Sequence, residues 1–321
     1  MKDCLNEIPE YVKSALQMLS DAGGTPYIVG GAVRDLLMGR EPHDYDIACD
    51  LTPDEILNVL ITNCVKIVGM VGFNFGVVVC LFEGHQIEIS SFRGVVDKDT
   101  DSLIWDWNNF SKNIEDDLSR RDFTVNAMAL DSEGNILDPY HGREDLRAKL
   151  LCPVGDPSLR YLEDAVRMFR ACRFVSQLGF TYTESERGEP SGVFVRKNFW
   201  EECEPRHFGR ERVRKEMEKL LLSNFPDKGL SLLMTSGLVN CPVAIRGKDD
   251  VKFETPLKSL AHLEGLVQNP KYHYNDVWGH TLQAVSNVPY ELMLRWAMLF
   301  HDAGTRMPLN IPAVPLQRLR K

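Results

Sequence analysis

The sequence lacks the features that mark membrane and secreted proteins. None of its apolar runs approaches the roughly 18 residues that a membrane-spanning helix requires. Its first residues, Met-Lys-Asp-Cys, have neither the apolar stretch nor the small-residue cleavage site of a signal peptide. We therefore expect a cytoplasmic protein that does not associate with a membrane.

Cysteine is present, but not in a pattern that binds metal. The chain has 8 cysteines, and no two of them have Cys-x-x-Cys spacing. This argues against a zinc site. In a cytoplasmic chain we expect reduced cysteines that act as small hydrophobic side chains. The sequence also lacks internal repeats and low-complexity segments, so repeat architectures are excluded.

Basic residues are outnumbered by acidic ones. Lys plus Arg total 37 and Asp plus Glu total 46, which gives a net charge of −9. That balance argues mildly against a nucleic-acid partner. Net charge averages over local patches, however, and residues 206–219 are rich in arginine and lysine. This segment is either a local RNA-binding surface or a solvated helix face. Its candidate RNA-binding residues are Arg206, Arg210, Arg212 and Arg214.

The hydrophobic pattern changes along the chain and predicts its architecture. With 321 residues, 44% of them hydrophobic, the chain is long enough for two or three domains. Short Val- and Ile-rich strands alternate with helices in the first part, whereas apolar spacings of three and four dominate from Leu159 onward. We expect an α/β head followed by an all-α remainder, with one helix over 161–178 and a linker over 240–256. The predicted domains are residues 1–150, 151–240 and 241–321.

A pair of glycines follows the first predicted strand. Tyr27–Val29 runs into Gly30 and Gly31, and a helix is predicted over residues 32–38. Glycines at a strand-to-helix turn let the backbone approach a phosphate closely, and the N-terminus of a helix favours negative charge. Arg34, one turn into this helix, could reach the same phosphates. A purely structural turn is the alternative.

Two aspartates follow shortly afterwards. Asp44 and Asp46 are two residues apart, and side chains with that spacing on a strand point to the same face. Two hard carboxylates on one face suit Mg²⁺ bridged to a triphosphate. Taken alone, an Asp-x-Asp sequence is more often a loop or a helix cap. Its position within 17 residues of the glycine turn favours the functional interpretation.

A charged strip begins at Arg160 and continues along the helix predicted over residues 161–178. At about 100° per residue, its charged side chains cover about a third of the circumference, and apolar side chains cover most of the rest. A helix that is buried on most sides and carries one narrow charged strip is unusual for a surface element, although a salt-bridged face is the alternative. The strip consists of Arg160, Glu163, Asp164, Arg167 and Arg170.

Three ordered motifs together resemble one enzyme family. They are Val29-Gly-Gly-Ala-Val-Arg-Asp with Asp-Tyr-Asp46, Arg120-Arg-Asp-Phe-Thr-Val-Asn-Ala127, and Glu163-Asp-Ala-Val-Arg-Met-Phe-Arg-Ala-Cys-Arg-Phe174. They resemble the signatures of class II tRNA nucleotidyltransferases and bacterial poly(A) polymerases, and the resemblance covers roughly residues 10–240. It implies a polymerase-β-like head, a helical neck and body, and template-independent addition of C and A from CTP and ATP to the 3′ end of tRNA.

The resemblance also implies roles for individual residues. Asp44 and Asp46 would bind two Mg²⁺ ions, and Glu88 lies where related folds carry a third carboxylate. Asp164 and Arg167 belong to the base-recognition helix. The nucleotide-binding candidates are Gly30, Gly31, Arg34, Arg120, Arg121, Asp122, Asn126, Asp164, Arg167, Arg170 and Arg173. A structural ion-pair cluster with the acidic run 115–117 is the alternative for residues 120–126.

Two segments leave alternatives open. Residues 94–119 occupy the place of the family's flexible loop, yet they contain no arginine where the family usually has a basic cluster. A CC-adding enzyme, an A-adding enzyme and a poly(A) polymerase therefore stay open. His280 and the pair His301-Asp302 resemble the start of an HD-type phosphohydrolase domain, and could bind a divalent metal. We expect a remnant without hydrolase activity, or helix packing with incidental histidines. A hydrolase is a distant alternative.

Overall fold

The computed structural model describes six stretches of the chain: residues 8–69, 76–94, 109–183, 198–247, 250–267 and 275–305. The described residues fall into two compact units that divide after Glu163, and residues 181–183 return to the first unit. The limits predicted at residues 150 and 240 stay predictions.

The first unit is built on a mixed sheet. In the described part of the chain the sheet has seven strands in the order β3-β4-β5-β2-β1-β6-β7. Its neighbouring strands are antiparallel, except that β2 and β5 run parallel. The strands are β1 (Tyr27–Val29), β2 (Tyr45–Cys49), β3 (Lys66–Gly69), β4 (Val77–Phe82), β5 (His85–Ser91), β6 (Ala129–Leu130) and β7 (Ile136–Leu137).

Helices accompany this sheet, as the predicted α/β head requires. They are α1 (Glu10–Asp21), α2 (Gly31–Leu37), α3 (Pro53–Thr62), α4 (Ile114–Ser119), α5 (Gly142–Ala148) and α6 (Pro157–Glu163). Helix α3 shows why a helix starts where it does. Thr52 accepts a hydrogen bond from the backbone N–H of Glu55, whose carboxylate accepts one from the backbone N–H of Thr52. This reciprocal cap satisfies two donors that the first turn would otherwise leave unpaired.

Alternation along β2 separates an apolar face from a polar one. Tyr45, Ile47 and Cys49 are buried in the larger core, which also contains side chains of α1, α2 and α3. Ala48 lies on the opposite face, in a smaller cluster with residues such as Phe92. Because successive strand residues point to opposite faces, Asp46 shares the face of Ala48 and lies outside the larger core.

The second unit is mainly helical. Its helices are α7 (Val166–Leu178), α8 (Arg210–Leu221), α9 (Pro226–Thr235), α10 (Val277–Asn287) and α11 (Leu292–Phe300). Helices α7 and α9 pack closely where Gly229 faces α7. A Cβ atom at Gly229 would lie 2.3 Å from the carbonyl oxygen of Cys172, so only glycine permits this approach. The helical remainder is therefore confirmed.

The continuous helix predicted over residues 161–178 is wrong. Helix α6 ends at Glu163 and α7 begins at Val166, so Asp164 lies in the junction between them. The Oδ1 atom of Asp164 accepts the backbone N–H of Val166 at 3.2 Å. Aspartate competes for backbone donors in this way, and it thereby favours helix starts over helix interiors.

The linker predicted over residues 240–256 is also wrong. An antiparallel pair of strands occupies it, formed by Val243–Arg246 and Val251–Glu254. The β-branched residues of these strands favour strand structure, and the polar residues between them obscured the pattern. The helical prediction for residues 276–303 holds as two helices, and the break between them contains Pro289, which cannot donate a backbone hydrogen bond.

Two other expectations can be compared with the structure. Of residues 94–119, which occupy the place of the family's flexible loop, residues 95–108 lie outside the described residues, and α4 follows them. The described cysteines are free thiols, and five of the seven are buried. Within the part of the chain that the structure describes, no helix combines the length and apolar character that crossing a membrane demands.

Candidate functional site

Three carboxylates lie near one another at the sheet of the first unit. Asp44 immediately precedes β2, and Asp46 is its second residue. Strand β5 pairs with β2 in a parallel register that sets Glu88 opposite Asp46. Directly opposed residues of paired strands point to the same face. Glu88, which the resemblance implied as a third carboxylate, thus lies beside Asp46.

The electrostatics of Asp46 reflect this crowding. The pKa of Asp46 is raised from 3.8 to about 6, mainly because the carboxyl group is buried and in addition because Asp44 and Glu88 carry negative charges nearby. Arg121 acts in the opposite direction and lowers the pKa of Asp46. The negative charge here is therefore only partly compensated by the protein itself. A divalent cation with a preference for oxygen ligands suits such a site.

The glycine turn lies against the same carboxylate. Gly30 precedes α2 with a positive φ of 73°, a conformation that glycine adopts without strain. A Cβ atom at Gly30 would lie 3.0 Å from Nη1 of Arg121 and 3.9 Å from Oδ2 of Asp46. The absence of a side chain therefore lets Arg121 and Asp46 approach the turn. The predicted phosphate cradle and the predicted metal ligands come together here.

Arg34 connects the turn with the second motif. Its guanidinium bonds both carboxylate oxygens of Asp35, at 2.9 and 3.1 Å, and donates from Nη1 to Oδ1 of Asn126 at 2.8 Å. Asn126 in turn donates from Nδ2 to Oδ1 of Asp122 at 3.1 Å. These hydrogen bonds fix the orientations of three predicted nucleotide-binding side chains. Asp35, which holds Arg34, was not among the predicted site residues.

The buried carboxylate of Asp117 binds the guanidinium of Arg121. Its Nη2 and Nε atoms donate to Oδ2 of Asp117 at 2.9 and 3.2 Å. This confirms the ion pair with the acidic run that the sequence offered as an alternative, yet the same arginine also faces Asp46. The i,i+4 spacing of Asp117 and Arg121 was the signal that could have identified Asp117. Arg120 donates from Nη1 to the backbone carbonyl of Gly94 at 2.6 Å.

The predicted base-reading residues lie at the start of α7 in the second unit. The backbone N–H of Arg167 donates to the carbonyl of Asp164 at 3.0 Å, so the two residues form one helical turn. The carboxylate of Asp164 accepts from Arg212 of α8, with 2.6 Å between Oδ2 and Nη2. The break in the predicted helix does not separate this pair, because Asp164 forms the entry into α7.

The two later arginines of this motif contact Glu216 of α8. The Nε atom of Arg173 lies 2.5 Å from Oε2, and Nη1 of Arg170 lies 3.9 Å from Oε1. Arg173 is buried, and its guanidinium also lies 3.9 Å from the ring centroid of Phe174. These contacts favour a packing role for Arg173 between α7 and α8. Its predicted nucleotide contact stays a prediction.

The basic run lies on and before α8. Arg206 is exposed, and its Nε atom lies 3.8 Å from a carboxylate oxygen of Glu204. Arg210 is exposed at the first position of α8. Arg214 bonds Glu211 of the same helix at 2.9 Å. Arg206 and Arg210 are thus predicted RNA-binding residues that are accessible to a partner.

The three residues that resemble the start of an HD-type domain also lie close together. His280 on α10 and the pair His301-Asp302 after α11 bring one ligand atom each within 4.8 Å of one another. The Nδ1–H group of His301 donates to the carbonyl of Met298 at 2.6 Å, and its Nε2 atom lies 3.2 Å from the carboxylate of Asp302. Among the described residues, this is the one group of three such ligands that converges so closely. Metal binding at this group stays a prediction.

Comparisons with known proteins match this layout. The family described as "Poly A polymerase head domain" matches residues 26–152, which contain the carboxylates and the glycine turn. A second family, described as "Probable RNA and SrmB- binding site of polymerase A", matches residues 206–241, which contain the basic run.

Curated relatives and a solved structure agree with these matches. A CCA-adding enzyme of Geobacillus sp. (strain WCH70) is 38% identical, over 73% of this chain and 55% of its own length. One from Geobacillus kaustophilus (strain HTA426) is 39% identical, over 71% and 53%. The crystal structure of the Bacillus stearothermophilus CCA-adding enzyme in complex with CTP is 32% identical with a TM-score of 0.66, covering 95% of this chain and 64% of that one.

The chain spans a little over half the length of the curated relatives that it matches. The residues that the two family descriptions match hold the first two motifs and the basic run. The solved relative supports the predicted combination of a polymerase-β-like head with a helical remainder. The chain belongs to the family of class II tRNA nucleotidyltransferases and bacterial poly(A) polymerases.

Proposed function

We propose that the chain adds C and A nucleotides to the 3′ end of tRNA in the cytoplasm, using CTP and ATP and releasing pyrophosphate. The observation that carries this proposal is the meeting of Asp46, the Gly30 turn and Arg121 in the first unit. The names of the relatives support the substrates, since they are CCA-adding enzymes and one was solved with CTP.

The reaction is attack by the RNA 3′-hydroxyl on the α-phosphorus of the nucleotide, with pyrophosphate as the leaving group. Mg²⁺ ions held by Asp44 and Asp46 would stabilise the charge that develops on the attacking and leaving oxygens. Arg121 supplies a fixed positive charge for phosphate oxygens, because Asp117 restricts its guanidinium. Its closeness to the glycine turn places that charge beside the backbone that receives the triphosphate.

Base selection is assigned to Asp164 and Arg167. Cytosine and adenine each present an amino donor beside a ring-nitrogen acceptor, whereas uracil and guanine present a carbonyl acceptor beside an N–H donor. Asp164 can only accept while it is ionised, and Arg167 can only donate. Together they match C and A and oppose U and G. An unpaired buried polar group costs about 1–3 kcal/mol, so two mismatches suffice for strong rejection.

One assay tests the proposal. Purified chain, Mg²⁺ and tRNA lacking its CCA end are incubated with each labelled NTP in turn, and the products are resolved at single-nucleotide resolution. We expect two additions with CTP alone, and a third when ATP is supplied as well. Arrest after two C residues would identify a CC-adding enzyme, and addition of A only to tRNA ending in CC would identify an A-adding enzyme. Long A tails would identify a poly(A) polymerase, and absence of any transfer would refute the proposal.

A further inference from the structure

Arg212 was predicted to bind RNA, but the structure gives it a different contact. Both carboxylate oxygens of Asp164 are engaged. Oδ1 accepts the backbone N–H of Val166 at 3.2 Å, and Oδ2 accepts Nη2 of Arg212 at 2.6 Å. The second bond links α8 to the entry of α7, residues that are 48 apart in the sequence. It holds the orientation of the carboxylate from a separate helix.

Arg214 shows that this contact is not a general property of the helix. The two arginines are neighbours on α8, with side chains that are 56% and 54% exposed. Arg214 pairs with Glu211 and Glu218 of its own helix. Only Arg212 of these two thus has an ion pair with the start of α7 among the described residues. Equal charge and equal exposure make Arg214 a matched control.

The helix that carries Arg212 is itself anchored against α7. Val213 and Met217 of α8 are buried, and Glu216 bonds the buried Arg173 of α7 at 2.5 Å. The position from which Arg212 reaches Asp164 is therefore determined by packing. A long exposed side chain would otherwise pay a large entropic cost to hold one geometry.

We infer that Arg212 is a positioning residue for base selection, which orients the Asp164 carboxylate. The inference rests on the proposed function. The terminal torsion of aspartate is intrinsically broad, so the carboxylate needs external bonds to aim its free lone pairs at a base. Arg212 thereby acts on the nucleotide through Asp164, without contacting RNA phosphate.

The experiment compares Arg212→Gln with Arg214→Gln. Equilibrium binding of CTP and of UTP is measured first, and then incorporation of each into tRNA. We expect Arg212→Gln to lower the preference for CTP over UTP about 3- to 10-fold, the range expected for one charge-assisted bond at a partly exposed site. Arg214→Gln should keep the wild-type preference for CTP over UTP in equilibrium binding, a measurement in which RNA takes no part. Arg212→Lys, which keeps the charge, should restore part of it.

A double-mutant cycle makes the test specific. In an Asp164→Ala background, Arg212→Gln should have no further effect on the CTP preference, because its partner is absent. An equal effect in both backgrounds would overturn the inference. So would equal preferences in the two glutamine variants, or a flatter salt dependence of tRNA binding in Arg212→Gln with unchanged preference, which would indicate a phosphate contact.

Failure of the proposed function gives a different result. A wild-type chain that prefers CTP in binding but transfers no nucleotide would refute the proposed reaction and leave the positioning role intact. A wild-type chain that binds CTP and UTP equally would overturn the positioning role itself. If Arg212→Gln does not fold, as judged by its thermal unfolding, the Arg212→Lys variant carries the same comparison.

Discussion

The carboxylates on two surfaces of the molecule have opposite surroundings. The acidic face of the first unit consists of Asp44, Asp46 and Glu88, and the α7–α8 face of the second unit carries Asp164 and Glu216. On the first, Asp46 has Asp44 and Glu88 as acidic neighbours, and its pKa is raised to about 6. On the second, Asp164 and Glu216 each have an arginine partner, at 2.6 and 2.5 Å. The first surface accumulates negative charge, whereas on the second surface each of these carboxylates is paired with an arginine.

This difference indicates what each surface can do. Uncompensated carboxylates are unfavourable unless a cation arrives, so their persistence on one face of a sheet favours metal binding. Compensated carboxylates are already satisfied, so they gain little from an added ion and instead hold side chains in fixed orientations. The first surface suits chemistry at a phosphate, and the second suits recognition of a base.

The largest effect is expected from breaking the acidic face. Asp44→Ala or Asp46→Ala should lower nucleotide incorporation by at least about 1,000-fold, because the developing charge loses its metal ligands. Binding of tRNA should change little. Steady-state incorporation and tRNA binding measure the two effects. Asp54→Ala, which removes an exposed carboxylate from α3, is the control, and near-normal turnover in Asp44→Ala would refute the assignment.

The second-largest effect is expected from removing a carboxylate of the α7–α8 face. Asp164→Ala should raise the use of UTP or GTP relative to CTP by roughly 10- to 100-fold, because the acceptor that opposes their carbonyl is lost. Competition assays with pairs of nucleotides measure this ratio. Glu211→Ala removes an exposed carboxylate from α8 and should leave the ratio unchanged. Equal loss with all four nucleotides would show that base reading lies elsewhere.

A smaller effect is expected on the stability of the first unit, where the charge of Asp46 is unfavourable. Asp46→Asn should raise the free energy of unfolding of the metal-free protein by about 1–2 kcal/mol at pH 7, because it removes a charge that the fold disfavours. The folded pKa lies above the unfolded one, so the wild-type carboxylate takes up its proton in the folded state as the pH falls through about 6.

The advantage of Asp46→Asn should therefore shrink as the pH falls from about 6 and vanish near 4. Urea unfolding at pH 7 and pH 4 in the presence of a chelator measures both values. Asp54→Asn is the matched surface variant, for which no gain is expected. A gain for Asp46→Asn that is equal at both pH values would contradict the electrostatic explanation.

The smallest effect is expected for RNA binding by the basic run. Replacing Arg206 and Arg210 with glutamine should reduce the log–log slope of tRNA affinity against salt by about one unit for each lost phosphate contact. Lys13→Gln, a change on α1 of the first unit, should leave the slope unchanged. The same slope in the double variant and the wild type would identify the basic run as a solvated face.

Local sequence signals predicted the parts of this molecule that depend on near neighbours in the chain. The Gly30–Gly31 turn, the strand before it and the helix after it were predicted because glycine conformation and hydrophobic periodicity act over a few residues. The same reasoning failed at Asp164, where a polar side chain ended a helix that the apolar spacing continued, and at residues 243–254, where an antiparallel pair of strands replaced a predicted linker.

By itself the sequence determined the order of the motifs and the family. The tertiary structure alone decided that Glu88 stands opposite Asp46, that Asp117 holds Arg121, and that Arg212 holds Asp164. The pairing of β2 with β5 and the contact of α8 with α7 join residues that are 42 and 48 apart. Strand register and helix packing depend on the whole hydrophobic core, so no short window of sequence contains them.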